Sequence, residues 1–142
     1  MKKRDNYLEE RATKYIYQYI KYEHVNKYIA EYFRKKLVYR YGIWIGRDCK
    51  IGEGLTLPHP QGIVIGNGVH IGKNVTLFQQ VTLGKNQGGY PYIESGTTIY
   101  PGARVIGKIR IGRNTVIGTQ AVVMQSTEMN SIYAGVPAKR IK

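Results

Sequence analysis

His59 stands between Pro58 and Pro60, a setting that singles it out among the 3 histidines of the chain. Imidazole is the side chain whose charge changes closest to neutral pH, so it suits a proton taken up and returned during a reaction. The two prolines hold the local backbone extended and cut its freedom. The plain alternative is an exposed histidine in a turn. His24, in a stretch without Gly or Pro, and His70, at an outward turn position, are expected to be solvated surface residues. The single cysteine, Cys49, rules out an internal disulfide and a Cys-x-x-Cys metal cluster. No metal is expected, and a reducing, cytoplasmic setting is the simplest fit.

The elements that must position His59 follow from a period of six. Ile45, Ile51 and Leu57 are six apart; so are Ile65, Ile71, Leu77 and Leu83; so are Ile93, Ile99, Val105, Ile111, Ile117 and Val123. Gly follows immediately at 46, 52, 66, 72, 84, 112 and 118, and small or β-branched residues recur four places on, at Cys49, Val69, Val75, Val81, Thr97, Ala103, Thr115 and Ala121. Six fits neither a helix nor a hairpin sandwich. It fits a triangular coil with one short strand and one inward aliphatic per side, three sixes to a turn, with Gly expected to serve the bends. Two interruptions break the rhythm. Residues 57–65 span eight positions around the prolines and His59, and residues 83–93 span ten, with residues 85–92 looping out. A uniform core needs neither, and function concentrates in such departures.

The 142 residues suit one domain with its own core, and 42% apolar content makes wholesale disorder a poor fit. No run is long and apolar enough for a membrane span, and no signal-peptide pattern opens the chain. Nine of 13 tyrosines precede Gly42 and sixteen of 17 glycines follow it, which divides the chain into an α-helical arm, 1–41, and a repeat domain with its tail, 42–142. Leu8, Ala12, Tyr15, Ile16, Tyr19 and Ile20, then Val25, Tyr28, Ile29, Tyr32, Phe33 and Leu37, keep helical spacing. The arm is expected to be one or two amphipathic helices, capped by Asp5 and bent near His24 and Asn26. Its face packs either on the rest of the protein or another subunit, or, as a basic Tyr-rich surface, on a membrane or an assembly partner.

Three segments carry a family resemblance over residues 43–140: His-Pro-Gln-Gly-Ile-Val-Ile-Gly from His59 to Gly66, Val-Thr-Leu-Phe-Gln-Gln-Val-Thr-Leu-Gly from Val75 to Gly84, and Ala-Gly-Val-Pro-Ala-Lys from Ala134 to Lys139. The chain resembles the hexapeptide-repeat serine O-acetyltransferases and the related sugar O-acetyltransferases. The resemblance implies an all-β repeat fold, a left-handed parallel β-helix preceded by the short α-helical arm. It also implies a homotrimer with sites between subunits, acetyl-CoA as co-substrate, and His59 as the general base that deprotonates an acceptor hydroxyl. Gly84 and Lys85 would offer backbone N–H groups to the oxyanion. Matching positions place acetyl-CoA near Lys85, Pro101, Gly102, Ala103 and Thr119, with Lys139 and Arg140 toward its phosphates. Gln79, Tyr90 and Tyr92 would line the acceptor site.

Departures from the serine enzymes set the expected acceptor. Those enzymes carry an Asp before the base and an Arg-His pair at the end of the long loop, where this chain has Pro58, Gly89 and Tyr90. Without these contacts for a zwitterion, a sugar or polysaccharide hydroxyl is the expected acceptor, as in capsule and exopolysaccharide acetyltransferases. A serine O-acetyltransferase with fewer serine contacts is the second reading, and a catalytically silent scaffold the third. Nucleic-acid binding, suggested by the +13 charge, has no accompanying signature, and that charge also suits an anionic cofactor.

Overall fold

The computed structural model describes residues 2–142, with side chains from Tyr7 onward. Two helices, α1 (Lys2–Tyr22) and α2 (Lys27–Tyr41), precede a stack of two- and three-residue strands. The helices separate where the sequence bends. Asn26 caps α2 by accepting from the N–H groups of Tyr28 and Ile29, and Gly42 ends it in the left-handed conformation at φ 62°. Because α1 begins at Lys2, Asp5 lies inside the helix and not at its cap; its side chain is outside the described residues.

Three parallel sheets form the sides of a prism. Sheet A stacks Trp44–Ile45, Val64–Ile65, Thr82–Gly84, Arg104–Ile106 and Val122–Val123. Sheet B stacks Lys50–Ile51, His70–Ile71, Tyr92–Ile93 and Arg110–Ile111. Sheet C stacks Thr76–Leu77, Thr98–Ile99, Val116–Ile117 and Ile132–Ala134, with Lys139–Arg140 added antiparallel at its end and Leu57 joining below through the Thr56–Thr76 bridge. The register sets each repeat aliphatic on its equivalent one coil away: Ile65 on Leu83, Ile99 on Ile117, Val105 on Val123. Uninterrupted coils therefore take eighteen residues, whereas Ile45 pairs with Ile65 and Leu83 with Val105 across the two insertions. Both inward sets are buried throughout, Thr97 and Thr115 included, except for half-buried Ile51. This is the β-helix that the period of six predicts.

The glycines work differently from expectation. The glycine after each inward aliphatic does not make the bend; a Cβ at Gly72 would lie 2.6 Å from the Ser95 nitrogen of the next coil, so close stacking demands its absence. The left-handed turn residue comes two places later, as at Gly54 and Asn74 (φ 78° and 53°). The arm closes the first coils of the prism. Ala12, Ile16, Tyr19, Leu37 and Tyr41 join the core, and the Tyr17 hydroxyl donates to the Gly52 carbonyl (2.7 Å) while accepting from the Leu55 N–H (3.2 Å). Tyr28, Tyr32 and Tyr39 remain exposed. No helix among the described residues is long and apolar enough to cross a membrane.

Candidate active site

The first insertion runs along the edge where sheet C passes into sheet A. Its backbone is pinned three ways: the Gln61 N–H donates to the His59 carbonyl (2.8 Å), the Gly62 N–H to the Tyr41 carbonyl (3.1 Å), and the Gln80 N–H to the Gln61 carbonyl (2.9 Å). Pro60 is buried while His59 is exposed, so the prolines anchor the turn and leave the imidazole free. The side chain opens onto a cavity of about 300 Å³. The insertion contributes Pro58, His59, Pro60 and Gln61 to it, and the arm contributes Leu8, Arg40 and Tyr41.

An aromatic column continues up the same edge. The His59 ring lies 6.4 Å from that of Phe78, which stacks on Tyr100 at 5.0 Å and 10°. Sequence reasoning missed Phe78 and Tyr100, although a signal existed: both occupy the place after an inward aliphatic where most repeats have Gly. It also missed Arg40 and Tyr41, which end the arm and carry no motif.

Among the residues expected to act, Gln79, Pro101, Gly102 and Thr119 lie on this edge on successive coils. The Gly102 N–H donates to the Gln79 carbonyl (3.0 Å) and the Gln120 N–H to the Pro101 carbonyl (2.9 Å). Ala103 points into the core with no exposure, so only its backbone is available to a ligand. Gly84 and Lys85 lie on a different edge, where sheet A passes into sheet B, and within one chain they do not meet His59. Tyr90 also belongs there. Its ring covers Gly66, where a Cβ would come within 2.2 Å of the Tyr90 Cε1. Tyr92 is on the face of sheet B, sandwiched between His70 (ring centroids 4.2 Å apart) and the Arg110 guanidinium (4.9 Å). Lys139 and Arg140 sit at the far end of sheet C, where Arg140 pairs with Glu128.

Of the other two histidines, His24 is on the surface as expected and His70 is not. His70 is half-buried against Tyr92, and burial together with nearby Lys50 lowers its pKa from the usual range. His24 is exposed, but its Nε2 is 2.9 Å from the Asp48 carboxylate. The buried Cys49 thiol is pushed up to about 11 by desolvation, which makes it an inert core residue and not a nucleophile. At the His59 cavity, burial raises the pKa of the Tyr41 phenol.

Residues 90–125 match the bacterial transferase hexapeptide (six repeats) family. The chain is 33% identical over 139 residues to a serine acetyltransferase of Buchnera aphidicola subsp. Schizaphis graminum, an alignment covering 93% of this chain and 51% of that protein. Its identity with a serine acetyltransferase of Staphylococcus aureus is 42% over 105 residues, 71% of this chain and 49% of the other. Superposition on a serine acetyltransferase solved in complex with CoA gives a TM-score of 0.82 at 29% identity, over 92% of this chain and 55% of that one. The chain thus spans about half the length of the curated relatives it matches.

These matches correct the saccharide acceptor, and the closeness to capsule and exopolysaccharide enzymes, inferred from Pro58, Gly89 and Tyr90. The relatives are serine acetyltransferases. The inference rested on contacts missing from two loops, whereas the His59 cavity is lined by a third element as well, the arm.

Proposed function

We propose that this hexapeptide-repeat transferase moves the acetyl group of acetyl-CoA onto the hydroxyl of L-serine, with His59 as general base. The observation that carries the reading is the placement of His59: an exposed imidazole on a pinned turn, facing a small cavity. It stands in a chain that aligns over 93% of its length with a serine acetyltransferase.

The chemistry follows from elementary needs. A serine hydroxyl is a poor nucleophile until a base takes its proton, and a neutral imidazole nitrogen within hydrogen-bond reach supplies that base. The serine oxygen then attacks the thioester carbonyl to give a tetrahedral oxyanion. Collapse breaks the C–S bond, the imidazolium returns the proton to the leaving thiolate, and the products are O-acetylserine and free CoA. The cavity suits this acceptor because it is small and lies beside the base, with buried Pro60 and Tyr41 limiting its depth.

Acetyl-CoA fits the edge above the cavity. Gln79, Pro101, Gly102 and Thr119 lie along it on successive coils, a path for a long cofactor leading toward His59. The oxyanion donors assigned to Gly84 and Lys85 occupy another edge of the prism, so base and donors come together only when a second copy is apposed. That requirement supports a homotrimer with each site between two copies. The test is release of CoA thiol from acetyl-CoA with and without L-serine. Serine-dependent release supports the proposal, and a rate no higher than background hydrolysis overturns it.

A further inference from the structure

Phe78 and Tyr100 stack on each other outside the hydrophobic core. Their rings lie 5.0 Å apart at 10°, Phe78 is half-buried and Tyr100 is 39% exposed. Neither belongs to the core or to the hydrophobics packed against it. The solenoid does not ask for them, since seven of its thirteen inward aliphatics are followed by Gly. The backbone ladder sets the column one residue per coil: the Phe78 N–H donates to the Ile99 carbonyl (3.0 Å) and the Tyr100 N–H to the Ile117 carbonyl (2.9 Å). On the next coil the column ends at Gly118, which carries no side chain. At the other end the Phe78 ring is 6.4 Å from the His59 ring. An aromatic pair held off the core and next to an exposed imidazole is the kind of surface that lines a ligand site.

We propose that the Phe78–Tyr100 stack is the wall against which the acyl group of the thioester lies, and that it selects acetyl-CoA over longer acyl-CoAs. The assignment rests on the transferase reading and deepens it, naming what fixes the acyl group. For transfer, the thioester carbonyl must come within about 3.5 Å of a hydroxyl already beside His59. The cavity formed by the insertion and the arm takes the acceptor. Phe78 lies outside that cavity, which leaves its side of His59 to the donor. The path of the cofactor agrees, because Gln79, Pro101 and Thr119 directly follow the three members of the column, Phe78, Tyr100 and Gly118. Two rings and then a glycine make this path narrowest next to His59. An acetyl methyl can rest on a ring at the usual carbon–carbon contact of about 4 Å. A longer chain with its carbonyl in the same place must displace one of the rings.

The test is kcat/KM of the full chain for transfer to L-serine from acetyl-, propionyl- and butyryl-CoA. The wild type is expected to lose about tenfold for each added methylene, the discrimination that a fitted apolar wall gives. Phe78→Ala and Tyr100→Gly should each raise the butyryl-to-acetyl ratio by about tenfold or more. Tyr100→Phe, which keeps the ring, should hold the wild-type ratio. Tyr100→Gly introduces the residue most repeats carry at this place, and it carries the test should Phe78→Ala fail to fold. The ratio decides, because loss of a merely structural contact lowers transfer from all three donors alike. A wild-type ratio in both variants that remove a ring would overturn the assignment and leave serine acetylation standing. So would a wild type that uses butyryl-CoA as readily as acetyl-CoA. Failure of the wild type to acylate serine from any donor would instead bring down the function reading, and this assignment with it.

Discussion

The two insertions into the solenoid look alike in sequence and do opposite things in space. Residues 57–65 and residues 83–93 each lengthen one side of a coil. The first, stiffened by Pro58 and Pro60, encloses a cavity with the arm. The second folds onto itself through paired hydrogen bonds between Asn86 and Gly89 (3.2 Å each) and lays Tyr90 on Gly66. One insertion makes room, and the other fills it. An interruption in a repeat therefore marks a place to look, and the packing around it decides whether a ligand can enter.

Substitutions can break this contrast, and the largest effect belongs to the open insertion. His59→Ala should lower acetyl transfer by about 10²–10⁴-fold, the usual contribution of a positioned base, with helical content and melting temperature unchanged. Transfer at the wild-type rate in that variant would mean that the cavity is not the reaction centre.

For the filled insertion the expected loss is in stability. Gly66→Ala must displace the Tyr90 ring, since its new Cβ would sit 2.2 Å from Cε1 and 3.0 Å from the Leu83 carbonyl oxygen. Both Gly66→Ala and Tyr90→Ala should cost about 1–3 kcal/mol in denaturant melts. Because they break one contact, the double variant should cost clearly less than the two together. Full additivity would show that Tyr90 and Gly66 do not depend on each other.

Pro60→Ala sharpens the comparison at smaller scale. Freeing the backbone next to His59 should cost roughly 0.5–1 kcal/mol through the unfolded state and lower kcat more than it raises KM. A variant with unchanged kcat would show that the adjoining hydrogen bonds suffice to hold the turn.

The smallest effect is electrostatic and lies outside both insertions. Glu94 accepts from the Arg110 side chain and from the Arg113 N–H (2.7 Å), and these contacts hold its carboxyl below the usual range. The folded state therefore prefers the ionised form. Its contribution is present above the usual carboxylate pKa and is lost as pH falls through the depressed folded value. Glu94→Gln should cost up to about 1 kcal/mol near neutrality, given the exposed partner, and nothing at strongly acidic pH. Equal losses at both pH values would assign the effect to shape and not to charge.

The thirteen aliphatic positions were readable because their cause is local and repeated. Each inward side chain faces the same environment as its equivalent one coil away, so the pattern recurs in the chain as well as in space. His59 was readable because its neighbours restrict it covalently. The bend between the helices near Asn26 was readable from the break in helical spacing. His70 was misjudged because its burial comes from Tyr92, a full coil away, and the inward-following glycines because the clash they avoid is with the next coil.

The sequence by itself determined the six-residue period, the two places where it breaks, and the histidine held in the first of them. These follow from which residues can be buried and from how proline limits its neighbours. Only the tertiary structure decided that Arg40 and Tyr41 from the arm and Phe78 from the coil above surround that histidine, and that Gly84 and Lys85 lie on another edge. Such neighbours are set by the docking of the helices and the stacking of coils, interactions among residues that the chain itself keeps far apart.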